Sequence, residues 1–371
     1  MPSSHARPHV LMTTDAVGGV WTYATTLVTG LAARGVRCTL AVLGPPPDAV
    51  ALEPLENLTG VTTHHCPCQL EWMPESGNDV ERSARWLRDL AGRVEPDVVH
   101  INGYAHAAWD FGCPTVSVAH SCVRSWWRAV HGKAAPAEWD CYRRRVEAGL
   151  SAATRVVSPT SAMLGALRQE YAWRGPADVI RNGLPSPAPA HRPKRRQVFA
   201  AGRIWDEAKN MRTLDDVAPR LPWPVVMAGD ACTPDGDWRI PVHAHYVGRL
   251  SWPDVTCLMT ESAIYALPAR YEPFGLSALE AAQRGCALVL GDIASLRELW
   301  DGAAEFVPLD DRDALRATLG ALCDDEPRRT RLAAAAQRRA RRYSLESMID
   351  RYLALYNALS HAIPRAVSCA S

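Results

Sequence analysis

Two carboxylates, Glu272 and Glu280, flank the segment Pro273-Phe274-Gly275-Leu276-Ser277, which opens a helix running to Gln283. A helix start presents free amide N–H groups and a partial positive charge. Phe274, Gly275, Leu276 and Ser277 therefore form an expected phosphate site. Glu280 lies about one turn farther on, where an ionised carboxylate can accept hydrogen bonds from a ribose diol beside a diphosphate. Glu272, in the loop after the apolar strand Ala263-Ile264-Tyr265-Ala266-Leu267, is placed for the other end of such a ligand. Arg203 ends another strand and Lys209 opens the helix that follows it. Together they offer a planar fork and a point charge that neutralise a diphosphate without a metal. Preorganised cations of this kind stabilise the charge that builds on a leaving phosphate as an anomeric bond breaks.

Further candidates stand at strand ends. Gly18-Gly19 occupies a strand-to-helix turn, where glycine permits positive φ and close approach of a ligand. His120 follows the buried strand Thr115 to Ala119, at the end where open α/β sheets bind ligands. Asp15 sits beside the glycine turn and is read as an acceptor contact. Trp126-Trp127, between Arg124 and Arg128, is an exposed-looking aromatic pair for an acceptor groove or a membrane surface, with packing under a loop as the plainer reading. Base contacts are expected near Val247-Gly248-Arg249. His64-His65-Cys66-Pro67-Cys68 lacks a second ligand pair and reads as a connecting loop, so no metal site is assigned. No Ser-His-Asp order or His-Glu-x-x-His motif points to a covalent nucleophile or a metalloenzyme.

These residues need a scaffold of strands ending in loops, and the chain supplies it twice. His9 to Thr13 reads as a strand, Val20 to Leu31 as a helix stopped at Gly35, and Arg37 to Leu43 as a second strand: a βαβ opening. Strands at Asp97 to Ile101, Thr115 to Ala119 and Arg155 to Val157, with a helix near Ala137 to Ala152, complete one α/β domain. The proline-rich Pro185 to Pro193 breaks the pattern. A second alternation follows: Val198 to Ala201, a helix at Met211 to Arg220, then strands at Val225 to Ala228, Tyr246-Val247, Ala263 to Leu267 and Ala287 to Leu290. From Asp313 to Leu359 the chain reads as helical, broken near Asp324 to Pro327 and Tyr343-Ser344, and the basic run Arg338 to Arg342 reads as a solvated face.

The 371 residues suit two domains. With 41 basic and 40 acidic residues, the net charge of +1 gives no global attraction for nucleic acid or anionic lipid. Eleven cysteines without framework spacing suit reduced thiols. No signal peptide is visible in Met1 to Arg7 and no apolar stretch approaches the ~20 residues of a membrane helix. A cytoplasmic protein is expected, with peripheral membrane contact the less favoured alternative.

The order Gly18-Gly19, His120, Asn182-Gly183, Gly202-Arg203 with Lys209-Asn210, and Glu272-Pro273-Phe274-Gly275-Leu276 with Glu280 resembles the family-4 retaining glycosyltransferases of the GT-B fold. The likeness runs along almost the whole chain. It implies two Rossmann-like doubly wound domains facing across a cleft. Residues 1–184 form the acceptor side, 185–196 the linker and 197–344 the donor domain. A last helix, 345–362, crosses back onto the first domain through Met348, Tyr352, Leu355 and Leu359. It further implies metal-independent transfer of a hexosyl-type group, with retention, from a nucleotide-diphospho-sugar to an acceptor hydroxyl, with no cofactor. By the resemblance His120, Arg203, Lys209 and Glu272 are catalytic. Gly18, Gly19, Phe274, Gly275, Leu276, Ser277 and Glu280 join Arg203, Lys209 and Glu272 in holding the donor. Asp15, Trp126 and Trp127 are not carried by the resemblance; from their own positions they are expected at the acceptor, a saccharide, a lipid or a small natural product. Two alternatives keep the fold: a phosphorylase or epimerase, for which a pyridoxal phosphate could be held only by Lys133, Lys194 or Lys209, and a non-catalytic sugar-nucleotide binding protein.

Overall fold

A computed structural model describes residues 7–47, 49–73, 76–188, 192–233 and 235–362. The chain divides into two compact units: Met1–Ser125 with Ala134–Gly183 and Leu345–Ser371, and Trp126–Lys133 with Leu184–Ser344.

In the first unit the chain runs β1 (His9–Asp15), α1 (Gly19–Ala33), β2 (Arg37–Leu43), α2 (Ala49–Glu56), β3 (Val61–Cys66), α3 (Asp79–Val94), β4 (Val98–Ile101) and β5 (Thr115–Val118). After α4 (Val123–His131), which reaches into the second unit's share of the chain, come α5 (Asp140–Ala152), β6 (Arg155–Ser158), α6 (Ser161–Tyr171) and β7 (Ala177–Val179). The seven strands pair in parallel in the order β3-β2-β1-β4-β5-β6-β7. Helices cover both faces of such a sheet, which explains why β1 and β4 are buried along their whole length, with polar residues only at their ends and at His100. The strand order reverses between β1 and β4, and that switch point is where a parallel sheet opens a crevice at its carboxyl edge.

The second unit repeats the plan with β8 (Arg195–Ala201), α7 (Met211–Val217), β9 (Val225–Ala228), β10 (His245–Tyr246), α8 (Trp252–Glu261), β11 (Ser262–Leu267), α9 (Leu276–Gln283), β12 (Ala287–Gly291), α10 (Ala294–Trp300), β13 (Glu305–Val307), α11 (Arg312–Asp324) and α12 (Glu326–Ala340). Its sheet is also parallel, in the order β10-β9-β8-β11-β12-β13, with the switch point between β8 and β11. The last helix, α13 (Leu345–Ala362), returns to the first unit and packs on α1. Its buried stripe is Met348, Ile349, Tyr352, Tyr356 and Leu359, with Leu355 only partly buried, and Tyr23 of α1 donates to the Tyr352 hydroxyl at 2.6 Å. A Cβ on Gly30 would come within 2.2 Å of Ile349 Cδ1, so a residue with no side chain lets the two helices touch.

Several expectations change. His64 to Cys66 belong to β3, an edge strand registered against β2 through Thr39 and Thr62; its polar, half-exposed composition hid it among loops. Lys209 closes a 3-10 turn, Glu207–Lys209, instead of opening a helix, and Asn210, with φ 54, turns the chain into α7. That helix stops at Val217, and Ala218–Arg220 is a further 3-10 turn. Trp126-Trp127 lie in α4 with half-buried indoles. Arg195 and Arg196, expected in the linker, already belong to β8, and residues 189–191 of the linker, Met1 to Ala6 and Cys369 lie outside the described residues. In the basic run Arg339 is not a solvated cation: its guanidinium donates to the Leu299 and Asp301 carbonyls, both at 2.8 Å.

Candidate active site

The site of the second unit is built at the β8–β11 switch point. A glycine follows each of β8 and β9, Gly202 (φ 154) and Gly229 (φ 142), and a Cβ on Gly229 would lie 1.7 Å from the Gly202 carbonyl oxygen. Only glycine at Gly229 allows this approach, and it sets where the chain turns into Arg203. Gly229 N also donates to the Gly248 carbonyl at 2.9 Å, which ties the Val247-Gly248-Arg249 turn to the same point.

Arg203 does not stand free. Asp206, 5% exposed, takes its Nη2 at 2.6 Å and its Nε at 3.2 Å, while the other carboxylate oxygen accepts the Ala208 amide at 2.9 Å. Asp206 thus caps the turn that carries Lys209 and anchors Arg203 together. Lys209 Nζ donates to Glu272 Oε2 at 2.5 Å, and Glu272 Oε1 accepts the Gly275 amide at 2.9 Å. The Glu272 carbonyl in turn accepts Ser295 Oγ at 2.6 Å. Lys209 and Glu272 have side chains 20% and 12% exposed, so removing one partner would leave a largely buried charge uncompensated.

The helix start differs from the expectation in two ways. The Gly275 amide is occupied by Glu272, which leaves those of Leu276 and Ser277 as the free donors of the first turn. Phe274 is 4% exposed and meets Tyr343 edge-on at 5.8 Å; it is a core residue, and its aromatic size anchors the loop. Gly275 has φ 84, with Leu296 and Glu272 side-chain carbons at 3.3 and 3.4 Å from a would-be Cβ, so the tight turn onto α9 demands glycine. Farther along α9, Glu280 Oε1 accepts Trp252 Nε1 at 3.1 Å. Burial pushes the Glu280 carboxyl above the usual range, opposed by this hydrogen bond and by Arg284. Trp252 is 60% exposed, and the Arg284 guanidinium lies 5.8 Å from its ring. Sequence reasoning missed Trp252; the available signal was an indole at the first position of a helix, between the Ser251 cap and Pro253.

The first unit places Asp15 at the end of β1, with Oδ1 accepting the Val17 amide at 2.8 Å, then Gly18 (φ 77) as the cap of α1 and Gly19 as its first residue. His120 follows β5, and its Nε2 lies 2.8 Å from Asn102 Oδ1. Asn102 is oriented by Thr13: its amide Nδ2 donates to the Thr13 carbonyl at 2.7 Å and its backbone N to Thr13 Oγ1 at 2.9 Å. Asn102 Oδ1 can only accept, so the network assigns a proton to His120 Nε2 and also to His100 Nε2, 3.0 Å away. His100 Nδ1 then accepts from Tyr356 at 2.6 Å, and His120 Nδ1 is left as an acceptor. Burial, with a smaller contribution from neighbouring His100, lowers His120 to about 3. The imidazole therefore stays neutral, with the Tyr23 ring edge-on at 4.4 Å. Asn102 was not singled out in the sequence, although it follows a legible strand.

Trp126 and Trp127 meet edge-to-face at 5.8 Å, and His131 packs on both, at 5.3 and 4.4 Å. They form an aromatic cluster on α4. Among the described residues, no three His, Cys, Asp or Glu side chains gather as a metal would require, and no helix is long and apolar enough to cross a membrane.

Two family models match the chain: Glycosyltransferase Family 4 over residues 17–186 and Glycosyl transferases group 1 over residues 187–339. Glycogen synthase of Mycobacterium tuberculosis is 32% identical over 183 residues, 44% of this chain and 42% of the relative. Phosphatidyl-myo-inositol mannosyltransferase of Mycolicibacterium smegmatis is 29% identical over 123 residues, 32% of each. The matched part thus spans less than half the length of these curated relatives. Among solved structures, sucrose-phosphate synthase from Thermosynechococcus elongatus superposes with a TM-score of 0.76 at 18% identity, covering 96% of this chain and 100% of that one. Anabaena HepE in complex with UDP and glucose gives 0.73 at 15% identity, covering 95% and 100%. At such identities the likeness speaks to the fold.

Proposed function

Because the chain belongs to the family-4 glycosyltransferases of the GT-B fold, we propose that it moves a hexosyl-type group from a nucleotide-diphospho-sugar to an acceptor hydroxyl, with retention and without a metal. The observation that carries this reading is the Lys209–Glu272–Gly275 arrangement at the β8–β11 switch point, where a cation, a carboxylate and a helix start meet.

In this reading the diphosphate takes the free amides of α9 and the Lys209 ammonium, which Glu272 holds ready beside them. Arg203, tethered by Asp206, adds the second positive charge. Glu272 keeps lone pairs for sugar hydroxyls, and Glu280 Oε2, the oxygen Trp252 leaves open, accepts from the ribose diol. His120 Nδ1, an acceptor at every ordinary pH, takes a hydroxyl of the donor sugar. The bond from the anomeric carbon to the phosphate oxygen breaks with its electron pair going to the phosphate. The acceptor oxygen bonds to the same face of that carbon, and its proton passes to the departing phosphate oxygen. Anabaena HepE, a protein of the same fold, has been captured with UDP-glucose, which supports a donor of this class. Of the three lysines a pyridoxal phosphate could use, Lys209 is paired with Glu272, Lys194 Nζ donates to the Arg284 carbonyl at 2.7 Å, and Lys133 is exposed.

The test is an assay of UDP-, ADP-, GDP- and dTDP-sugars in the presence of EDTA, reading nucleotide release and the anomer of the product by NMR. Transfer with unchanged anomeric configuration and undiminished rate is expected. An inverted product, or loss of activity with EDTA, would refute the mechanism.

A further inference from the structure

His120 is held from behind by a chain of hydrogen bonds that begins on the last helix. Tyr356 of α13 is fully buried, and its hydroxyl lies 2.6 Å from His100 Nδ1. That hydroxyl has no other partner among the described residues, so its proton goes to His100. His100, equally buried, then carries its own proton on Nε2 and gives it to Asn102 Oδ1 at 3.0 Å. An amide oxygen only accepts, so His120 Nε2, 2.8 Å from the same atom, is a donor as well. Thr13 of β1 gives the same instruction from another side. Its carbonyl accepts Asn102 Nδ2 at 2.7 Å, and an amide turned over would set oxygen against oxygen there.

The competing arrangement has almost the same shape. With Asn102 turned over, its two N–H groups would serve both Nε2 atoms, and each imidazole would carry its proton on Nδ1. His120 would then meet a ligand as a donor. Two independent constraints disfavour that state: the Thr13 carbonyl would lose its donor, and the buried Tyr356 hydroxyl would lose its acceptor. Charge plays no part. Burial lowers His100 to about 4 and His120 to about 3, and the neighbours that face them, Tyr23 of α1 and Tyr352 and Tyr356 of α13, keep their protons because burial raises all three hydroxyls. Tyr23, edge-on to His120 at 4.4 Å, is itself tied to Tyr352, one helical turn before Tyr356.

We propose that Asn102, with His100 and Tyr356 behind it, is the positioning unit of His120: it selects the tautomer that offers Nδ1 as an acceptor, so the group recognised there must bring a proton. The inference rests on the transferase reading and deepens it. A hydroxyl on the donor sugar satisfies Nδ1, whereas a carbonyl, ether or fluorine in its place sets lone pair against lone pair. Through Tyr356, α13 acts on the site as well as packing on α1.

Histidine-selective 15N labelling of the full chain, with the ring nitrogens read by long-range proton–nitrogen NMR and assigned with His120→Gln and His100→Gln, reports the tautomers directly. In the wild type at pH 7 both rings should be neutral with the proton on Nε2. Asn102→Leu removes the acceptor, so His120 should become a mixture of tautomers. Its kcat/KM, with whichever of UDP-, ADP-, GDP- or dTDP-glucose or GDP-mannose the wild type uses, should fall about a hundredfold, the cost of a misplaced group, while affinity for the nucleoside diphosphate alone stays within about twofold. Asn102→Asp, an acceptor that carries charge, should keep the Nε2 proton and raise the His120 pKa by about 1–3 units, which a merely structural residue would not do. Tyr356→Phe should shift the His100 Nδ1 resonance and lower kcat/KM by less than Asn102→Leu does. A wild-type His120 with its proton on Nδ1, or Asn102→Leu with wild-type tautomer and rate, would overturn the assignment. If Asn102→Leu does not fold, the wild-type spectrum and Asn102→Asp decide it. The expected spectra with no transfer from any of these sugar nucleotides would refute the transferase reading and leave the tautomer assignment standing.

Discussion

Lys209 and Glu272 hold each other at 2.5 Å, so Lys209→Ala strands a carboxylate and, in the proposed function, also removes a cation that faces the leaving phosphate. Turnover should fall by about two to three orders of magnitude, the range found for lost preorganised charge, while nucleotide affinity falls less. A rate-limited assay at saturating donor separates the two. Trp252 acts differently, because its contacts are to Glu280 through Nε1 and to Arg284, away from the Lys209–Glu272 pair that the proposed function sets at the phosphates. Trp252→Phe should leave saturated turnover near wild type and weaken nucleotide binding about tenfold, the worth of one charge-assisted hydrogen bond. The preference for ribo- over 2′,3′-dideoxyribonucleotides should narrow, which titration of both nucleotides would show. The motif residues were legible because their spacing along one loop and one helix fixes their neighbours. Trp252 and Asn102 were not. Each meets its partner across a tertiary contact, Trp252 with Glu280 and Asn102 with His120, and periodicity assigns a face to a residue but not the side chain opposite it.

The strands that carry the site owe their positions to glycines at their ends. Gly229 meets the Gly202 carbonyl so closely that Gly229→Ala must push the ends of β8 and β9 apart, a backbone clash no rotamer relieves. A cost of about 2–4 kcal/mol is expected. The melting temperature should drop by about 5–10 °C. Because Arg203 follows Gly202 directly, transfer by the folded fraction should fall too; calorimetry with an activity assay below the melt checks both. The central strands β1, β2, β8, β9, β11 and β12 were readable as apolar runs because helices cover both of their faces. The short edge strands β3, β7 and β13 were not, since half their surface faces water and their composition imitates loops. Lys209 shows the same limit at a helix start, where a 3-10 turn capped by Asp206 inserts itself before α7.

The histidines of the first unit make overall stability depend on pH. Burial lowers His100 and His106 to about 4 and His120 to about 3, against about 6.5 when unfolded. Between those values the unfolded chain binds the extra protons. Stability is thus complete above pH ~6.5 and is lost progressively as pH falls toward 4. Glu71 and Glu280, whose carboxyls burial raises, act in the opposite direction as they protonate, and so soften the loss at its acid end. Urea midpoints at pH 7.5 and pH 5 should differ, with the lower value at pH 5; equal midpoints would contradict neutral buried imidazoles. The two-unit organisation was legible from two βαβ alternations and a proline-rich break, whereas the return of α13 to α1 rested on an apolar stripe whose destination only the fold reveals.

A titration of nucleoside diphosphates against the wild-type chain and against Glu280→Ala, followed by calorimetry, tests the donor site most directly. One nucleotide should bind the wild type at a single site. At a hundred times its dissociation constant it should stabilise the fold by about 2.7 kcal/mol, and the variant should bind it at least tenfold more weakly. No binding by any nucleoside diphosphate, or equal affinity for both proteins, would contradict the placement of the donor at the start of α9.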